Sequence, residues 1–330
     1  MTQADTPLEV KPVRARRRLP AATEFLGLVA VLLLLIGFFA VKTDHFFSSD
    51  TLVTIANQIP DTVAVATGMT FVLIIGGIDL SVGSVLALSG AVLGVCLSQR
   101  GLPLPVSLAA ALGTGLICGA ANGIVTVRWA LPSFIVTLGM LEIARGGTLL
   151  VTNSQNLWIG APLEPIYAFS MWGMALPFYL SILLVIAAQL FLSYSGIGRY
   201  MIAIGSKEEA ARLSGINTWP IKVSVFMASG MLASLAAVVQ AGRTLSSDPN
   251  AGRGFELQAI AAAVIGGTSL MGGRGSVVGT FLGVLIIAVL ENGLVQMDVR
   301  DAVKQVVTGV VIVLAVILDY YRHRLSTARA

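Results

Sequence analysis

The sequence has too little charge for a water-soluble chain of its length. Asp, Glu, Lys and Arg make up 12% of 330 residues, against about 25% in an average soluble domain. So few charges cannot cover a water-facing surface, which excludes soluble enzymes, disordered tails and nucleic-acid binders. Cysteine is nearly absent. Cys96 and Cys118 both lie inside apolar runs, where they read as small packing residues, not as a disulfide or metal pair. The two histidines, His45 and His323, are far apart, and no His, Glu or Cys cluster has metal-ligand spacing. No G-x-x-x-x-G-K-[ST] phosphate loop occurs, so the chain itself is not expected to bind ATP. Gly273-Arg274-Gly275 breaks the dinucleotide pattern at Val278. No Ser-Lys, paired-Asp or HExxH set is present for intramembrane catalysis. We assign no catalytic residue and no metal ligand.

What the sequence has is apolar length. The residues AVILMFWYC make up 56%. A spanning helix needs about 20 mostly apolar residues, and ten runs qualify as candidates: Glu24 to Val41, Leu52 to Ile75, Leu80 to Ser98, Leu104 to Val127, Pro132 to Val151, Trp172 to Tyr194, Pro220 to Ala241, Leu257 to Leu270, Val277 to Met297 and Ala302 to Tyr320. The eighth is short and holds Gly266 and Gly267, which reads as a broken span. Strands of an outer-membrane barrel would be shorter and alternate in polarity. These runs are continuously apolar, and a helix satisfies its own backbone in lipid. The expected fold is all-α, a polytopic transmembrane bundle of about ten spans.

Charge sets the expected orientation. The net charge is +4, which suits cationic cytoplasmic loops better than a nucleic-acid partner. With the N-terminus inside and ten crossings, 14 of the 21 basic residues fall inside and 21 − 14 = 7 outside. The bias supports N-in and C-in. Residues 1–23 then form a basic cytoplasmic tail carrying Lys11, Arg14, Arg16, Arg17 and Arg18. Residues 24–320 form one integral membrane domain, and 321–330 a second cytoplasmic tail. No small-residue cleavage site follows the first run, so it reads as an uncleaved span.

The one long inside loop, 196–219, is charged. Lys207 to Leu213 is rich in helix formers, with Ser206 as the expected N-cap. Glu208 and Glu209 suit the first turn, Arg212 stands four residues after Glu208 as a surface pair, and Gly215 can end the helix. The expectation is a short, rigid cytoplasmic helix that docks a soluble partner. Two glycine-rich segments share an Ile-Gly-Gly start and a later Gly-Ser: Ile75 to Ser84 and Ile265 to Ser276. Paired glycine interruptions in corresponding halves point to a transport site, although small residues also serve close helix packing. Asp79 is a carboxylate near a bilayer boundary, which either caps the next helix with Ser81 and Ser84 or contacts a sugar hydroxyl. Glu142 and Arg145, three apart, read as a pair. The amides Asn122, Asn292, Gln240 and Gln296 offer neutral donors and acceptors of the kind a sugar path needs. Glycine-broken helices fit an ion-gradient-driven secondary transporter acting alone as well, but membrane acids are scarce.

Glu209-Ala210-Ala211, followed four positions later by Gly215, resembles the EAA loop of ABC importer permeases. Gly76 to Ser84, Asn122-Gly123, Pro132 to Gly139, Gly198 to Ile216 and Gly254 to Gly275 together resemble the ribose/xylose/arabinose-type sugar permease family. The chain departs from that pattern in carrying an amide, Gln258, near a position that is usually acidic. The resemblance implies the permease subunit of an ATP-driven importer for a sugar or sugar-like neutral solute in a bacterial inner membrane. It implies a second permease, either an identical copy or a paralogue, ATP-binding subunits that carry ATP and Mg, and a periplasmic sugar-binding protein near Thr152 to Met171 and Gly242 to Glu256. It makes Lys207, Glu208, Glu209, Ala210, Ala211, Arg212 and Gly215 the contact with the ATPase. The candidate translocation residues are Gly76, Gly77, Asp79, Ser81, Asn122, Gly266, Gly267, Thr268 and Asn292.

Overall fold

The computed structural model describes residues 21–43, 46–160, 162–300, 302–311, 313, 314 and 317. The basic cluster from Lys11 to Arg18, His45, His323 and the C-terminal arginines lie outside the described residues. The chain is mostly helical. It starts with α1 (Ala21–Lys42) and α2 (Ser49–Ile74). Ser48 caps α2, its hydroxyl accepting from Thr51 N at 3.2 Å. The next helix, α3 (Val82–Gly94), continues through a π-helical turn, Val95–Gln99. Prolines then place two starts, since a ring at the first turn removes a donor the helix would leave unpaired: α4 (Leu104–Arg128) holds Pro105, and α5 (Ser133–Thr152) follows Pro132.

A short α6 (Glu164–Ala168) leads to α7 (Leu176–Tyr194), then α8 (Gly196–Ser206), α9 (Glu208–Leu213), α10 (Thr218–Thr244), α11 (Phe255–Ile265), α12 (Val277–Gln296) and α13 (Ala302–Val311). Two small antiparallel ribbons decorate the end of the bundle away from α9. They join β1 (Leu157–Trp158) to β4 (Ser246–Ser247), and β2 (Ser170–Met171) to β3 (Met174–Ala175). Tyr167 on α6 donates to the Val239 carbonyl of α10 at 3.1 Å. Burial pushes its phenol up to about 12, so that donor persists at physiological pH.

Among the described residues, seven helices are long and apolar enough to cross a membrane: α1, α3 with its π turn, α4, α5, α7, α10 and α12. The chain is a multi-pass helical membrane protein. Where each helix sits follows from what it touches. The α1 span has a mean hydropathy of 2.6 and is 6% buried in protein, whereas Val82–Gln99 has 1.7 and is 67% buried. Only a lipid-facing helix needs to be apolar all round. The 26 residues of α2 would reach about 39 Å, yet α2 falls outside the seven because it carries Asn57, Gln58 and Asp61. It stands in the middle of the bundle against α10, α12, α11 and α7, which bury Asp61, half-bury Asn57 and leave Gln58 exposed. Asp61 is buried and pairs with Arg243 of α10 at 2.8 Å, and the same guanidinium donates to the Gln58 carbonyl at 2.9 Å.

The eighth apolar run stops short. α11 ends at Ile265, not Leu270, because Gly267 takes φ +88 and turns the chain. The tenth run is described as helix over Ala302–Val311. α4 packs along α10 with backbone against backbone. A Cβ at Gly115 would collide with the Gly230 carbonyl, and one at Gly119 with the Phe226 carbonyl. Small residues four apart let two backbones approach where lipid gives no hydrophobic drive. Hydrogen bonds of 2.7 Å between Ser89 and Ser234, and between Thr70 and Thr280, tie further helices together.

Candidate coupling and translocation site

The charged segment forms two helices set apart by one extended residue. Ser195 caps α8 by accepting from Gly198 N at 2.9 Å. Ser206 does not cap α9, because its hydroxyl turns back to the Ile202 carbonyl at 2.8 Å. Lys207, with φ −163, holds the cap position without a side-chain bond. Glu208 does not pair with Arg212. It meets Lys222 of α10 at 2.9 Å and accepts from the Thr218 hydroxyl at 3.3 Å, so the contact fixes α9 to the next helix instead of bracing α9 alone. Gly215 ends α9 as a left-handed residue, φ +83. Its N–H donates to Arg212 O at 3.0 Å and Ile216 N–H to Ala211 O at 3.1 Å, the paired bonds of a Schellman end. Ala211 packs inward, while Lys207, Glu209, Ala210 and Arg212 are exposed. Leu213 stands beside them 85% exposed, a residue that sequence reasoning did not single out.

The end of α8 rests on both glycine-rich breaks. Gly273 N donates to the Ile74 carbonyl at 2.9 Å, which joins the α11–α12 loop to the end of α2. Gly205 of α8 lies against that bond: a Cβ there would strike the Ile74 carbonyl and come 2.5 Å from Gly273 N. A Cβ at Gly272 would come 2.8 Å from Gly205 O and 3.0 Å from the Gly76 Cα. Three backbones therefore meet with no side chain between them. The matching Ile-Gly-Gly motifs hinted that the two breaks correspond. Nothing in the sequence marked Gly205 as the third member.

Beside this junction lies a buried polar network. Asp79 is 1% exposed. One carboxylate oxygen accepts from Ser81 N at 3.0 Å and the Ser81 hydroxyl at 2.6 Å, and the other accepts from the Ser229 hydroxyl of α10 at 2.9 Å. Asn122 Nδ2 of α4 donates to Ser81 Oγ at 2.9 Å. The start of α3 is further held by α5: Ser133 accepts from Ile78 N at 2.9 Å and Thr137 from Leu80 N at 3.0 Å. Asp79 thus organises the turn that starts α3 and binds it to α10. Asn122 Oδ1 and Thr268 Oγ1 are buried without a partner among the described residues. Gly77 packs on Val72 and Phe226, and Gly266 sits against the Gly279 backbone of α12.

One sequence-predicted member lies elsewhere. Asn292 is at the other end of the bundle, donating to Gln58 Oε1 at 3.0 Å. Arg145 turns away from Glu142 and donates to the carbonyls of Pro249 and Ala251 at 2.9 and 3.0 Å. A guanidinium can hold two carbonyls of a loop that has no ladder of its own. Gln258, at the position where an acid was expected, donates its amide to the Glu291 carboxylate at 2.7 Å. The nearby acid is therefore supplied by α12.

Known proteins give the same classification. The family model for the permease component of branched-chain amino acid transport systems matches residues 51–316. The chain is 40% identical to the ribose import permease of Escherichia coli K12 over 302 residues, covering 87% of this chain and 91% of that protein. It is 32% identical to the fructose import permease of Rhizobium meliloti over 308 residues, 91% of this chain and 86% of that one. It is 33% identical to the xylose transport system permease of Escherichia coli K12 over 362 aligned positions, 91% and 92% of the two chains. No solved structure matches at a significant level. With the model spanning most of the chain, and these relatives aligned almost end to end, the chain belongs to the branched-chain amino acid transport system/permease component family.

Proposed function

We propose that this chain is the membrane-embedded permease subunit of an ATP-driven importer for a neutral sugar in a bacterial inner membrane. The observation that carries the proposal is the junction of Gly205, Ile74 and Gly273. A push on α9 reaches both interrupted helix ends through backbone alone. The chain has no phosphate loop, so ATP and Mg belong to a separate cytoplasmic subunit. That subunit docks on Lys207, Glu208, Glu209, Ala210, Ala211, Arg212 and Gly215, with Leu213 as an apolar anchor. Residues 24–320 form one membrane domain of ten passes, N-in and C-in, with α9 as the coupling helix. Residues 1–23 and 321–330 are cytoplasmic tails.

Ribose, fructose and xylose relatives support a sugar as cargo. A periplasmic sugar-binding protein delivers it to the ribbon end, and a second permease copy completes the pathway. The polar turn Asp79–Ser81–Asn122 and the breaks at Gly76, Gly77, Gly266, Gly267 and Thr268 form the inner part of that pathway, with Asn292 at its outer part. ATP and the loaded binding protein favour different conformers, and the difference in their affinities drives the switch. The test is reconstitution of the permease with its ATPase and binding protein in proteoliposomes. Sugar-loaded binding protein is expected to stimulate ATP hydrolysis and sugar uptake together. Uptake by the permease alone, driven by an ion gradient and indifferent to ATP, would refute the proposal.

A further inference from the structure

A cavity of about 310 Å³ opens at the ribbon end, between α3, α10 and the strand β4. Its floor is made of small residues: Ala87 and Gly90 from α3, Ala237 and Ala241 from α10. Just below, the two helices are clamped by the Ser89–Ser234 hydrogen bond of 2.7 Å, so the space above is held open and is not a loose fit. Gly90 has no packing reason to be glycine. A Cβ there would meet Ser247 Oγ at 3.6 Å and the Ala237 Cβ at 3.8 Å, ordinary contacts. Its backbone is also free of left-handed strain. This is the opposite of Gly115 and Gly119, whose missing side chains are filled by a neighbouring backbone. At Gly90 the absent side chain leaves volume.

Polar groups without partners face that volume. Ser247 is 4% exposed, and its hydroxyl has no hydrogen-bond partner among the described residues. A buried polar atom left unpaired costs free energy unless something else fills the role. The side-chain amides of Gln240 on α10 and Asn156 before β1 line the same space, without a hydrogen bond among the described residues. Asp248 is at the mouth, one oxygen occupied by Asn250 N at 2.8 Å. Among the described residues no Lys or Arg lines the cavity.

The ligand class follows by elimination. An amino acid brings a carboxylate that needs a cation or a helix start, and no cation lines the walls. A phosphorylated sugar fails for the same reason. An apolar solute would leave the buried Ser247 hydroxyl unpaired and give the two amides nothing to bond. The volume equals that of about ten waters, at the small end of ligand pockets, which run from about 300 Å³ upward. That suits one monosaccharide ring and not a disaccharide. We propose that this cavity is a subsite for a single uncharged monosaccharide, built within one chain and formed by Gly90, Gln240, Ser247 and Asn156. The inference rests on the sugar-permease reading and adds where the sugar first stops and why an amino acid does not.

The test uses the full chain in lipid nanodiscs and saturation-transfer NMR with D-ribose, D-fructose, D-xylose, L-leucine and maltose as probes. At least one of the three monosaccharides is expected to give a signal, and leucine and maltose none. Gly90→Leu fills the cavity and should abolish the signal. Gln240→Leu removes one hydrogen-bonding group and should weaken apparent affinity about tenfold. It guards against a Gly90→Leu chain that fails to fold. Monosaccharide signals unchanged in both variants would overturn the proposal. So would a leucine signal equal to that of the sugars, or no sugar signal from the wild-type chain. Should the reconstituted complex still import sugar in any of these cases, the permease assignment stands and the subsite alone falls.

Discussion

Gly205→Ala is the smallest change that tests whether α9 speaks to the broken helices through backbone. The added methyl would strike the Ile74 carbonyl and come 2.5 Å from Gly273 N. It can be accommodated only by moving α8 off the junction or by breaking the 2.9 Å Gly273–Ile74 hydrogen bond. Overpacking of this kind costs about 1–3 kcal/mol, and an orphaned backbone pair about 1–3 kcal/mol more. The expected loss is therefore about 2–6 kcal/mol locally, enough to shift the α8–α9 unit against α2, α7 and α10, which it touches, without unfolding the rest of the bundle. Gly196→Ala in the same helix is the control, since a Cβ there meets nothing within 4 Å. It should be neutral or stabilise α8 by up to about 1 kcal/mol through helix propensity. The assay is ATP hydrolysis by the reconstituted complex, with and without sugar-loaded binding protein. Gly205→Ala should keep basal hydrolysis and lose most of the stimulation, and Gly196→Ala should keep both. Full stimulation in Gly205→Ala, with an unchanged melting profile, would refute the argument that the three-backbone contact transmits the motion.

A double-mutant cycle on Glu208→Gln and Lys222→Met should give a coupling energy of about 0.5–1 kcal/mol in chemical denaturation, because the side chains are 41% and 18% exposed and water screens the pair; a zero coupling would remove Glu208 as the tether of α9. Leu213→Asp places a charge on a side chain that touches little of its own chain, so the melting temperature should hold while affinity for the ATP-binding subunit falls at least tenfold, measured by co-purification or interferometry; unchanged binding would take Leu213 out of the interface. Asp79→Ala strands three donors, Ser81 N, Ser81 Oγ and Ser229 Oγ, and should cost about 3 kcal/mol or more. Asp79→Asn keeps one acceptor oxygen and should recover part of that; equal loss in the two variants would show that charge, not hydrogen bonding, matters there. Asp61→Asn leaves Arg243 without its counter-ion. The cost should be about 2–3 kcal/mol by thermal denaturation, below the ~3–5 kcal/mol of a fully buried pair because Arg243 is 29% exposed; a wild-type melting curve would contradict the pairing.

The apolar runs were legible to within a few residues because lipid leaves the backbone few choices. A segment that cannot bond to water must close its own hydrogen bonds, so run and helix coincide. The EAA-like segment was legible as a helix with a glycine end for similarly local reasons. Relations across the bundle were not. Glu208 chose Lys222, 14 residues away, over the local partner Arg212, because α10 passes beside it. Arg145 chose two loop carbonyls over Glu142. The central position of α2 was hidden as well. The run Leu52 to Ile75 read as one span among ten, and nothing in it marked the helix that the others surround.

Glycine shows where the boundary lies. In sequence Gly90, Gly115, Gly205 and Gly273 are the same letter within apolar or turn-rich stretches. In space they do three different things. Gly115 lets α4 reach α10, and Gly205 and Gly273 let three backbones meet. Gly90 faces open volume that a methyl group would partly fill. Contact glycines hold a transporter together or transmit its movement, so a methyl group there should impair assembly or coupling whichever solute is present. A glycine on a cavity wall sets the size of what fits, so a methyl at Gly90 should discriminate between solutes and leave coupling intact. Sorting glycines by what an added Cβ would touch therefore gives two classes of variant, one expected to lose coupling for every solute and one expected to change only which solute is carried.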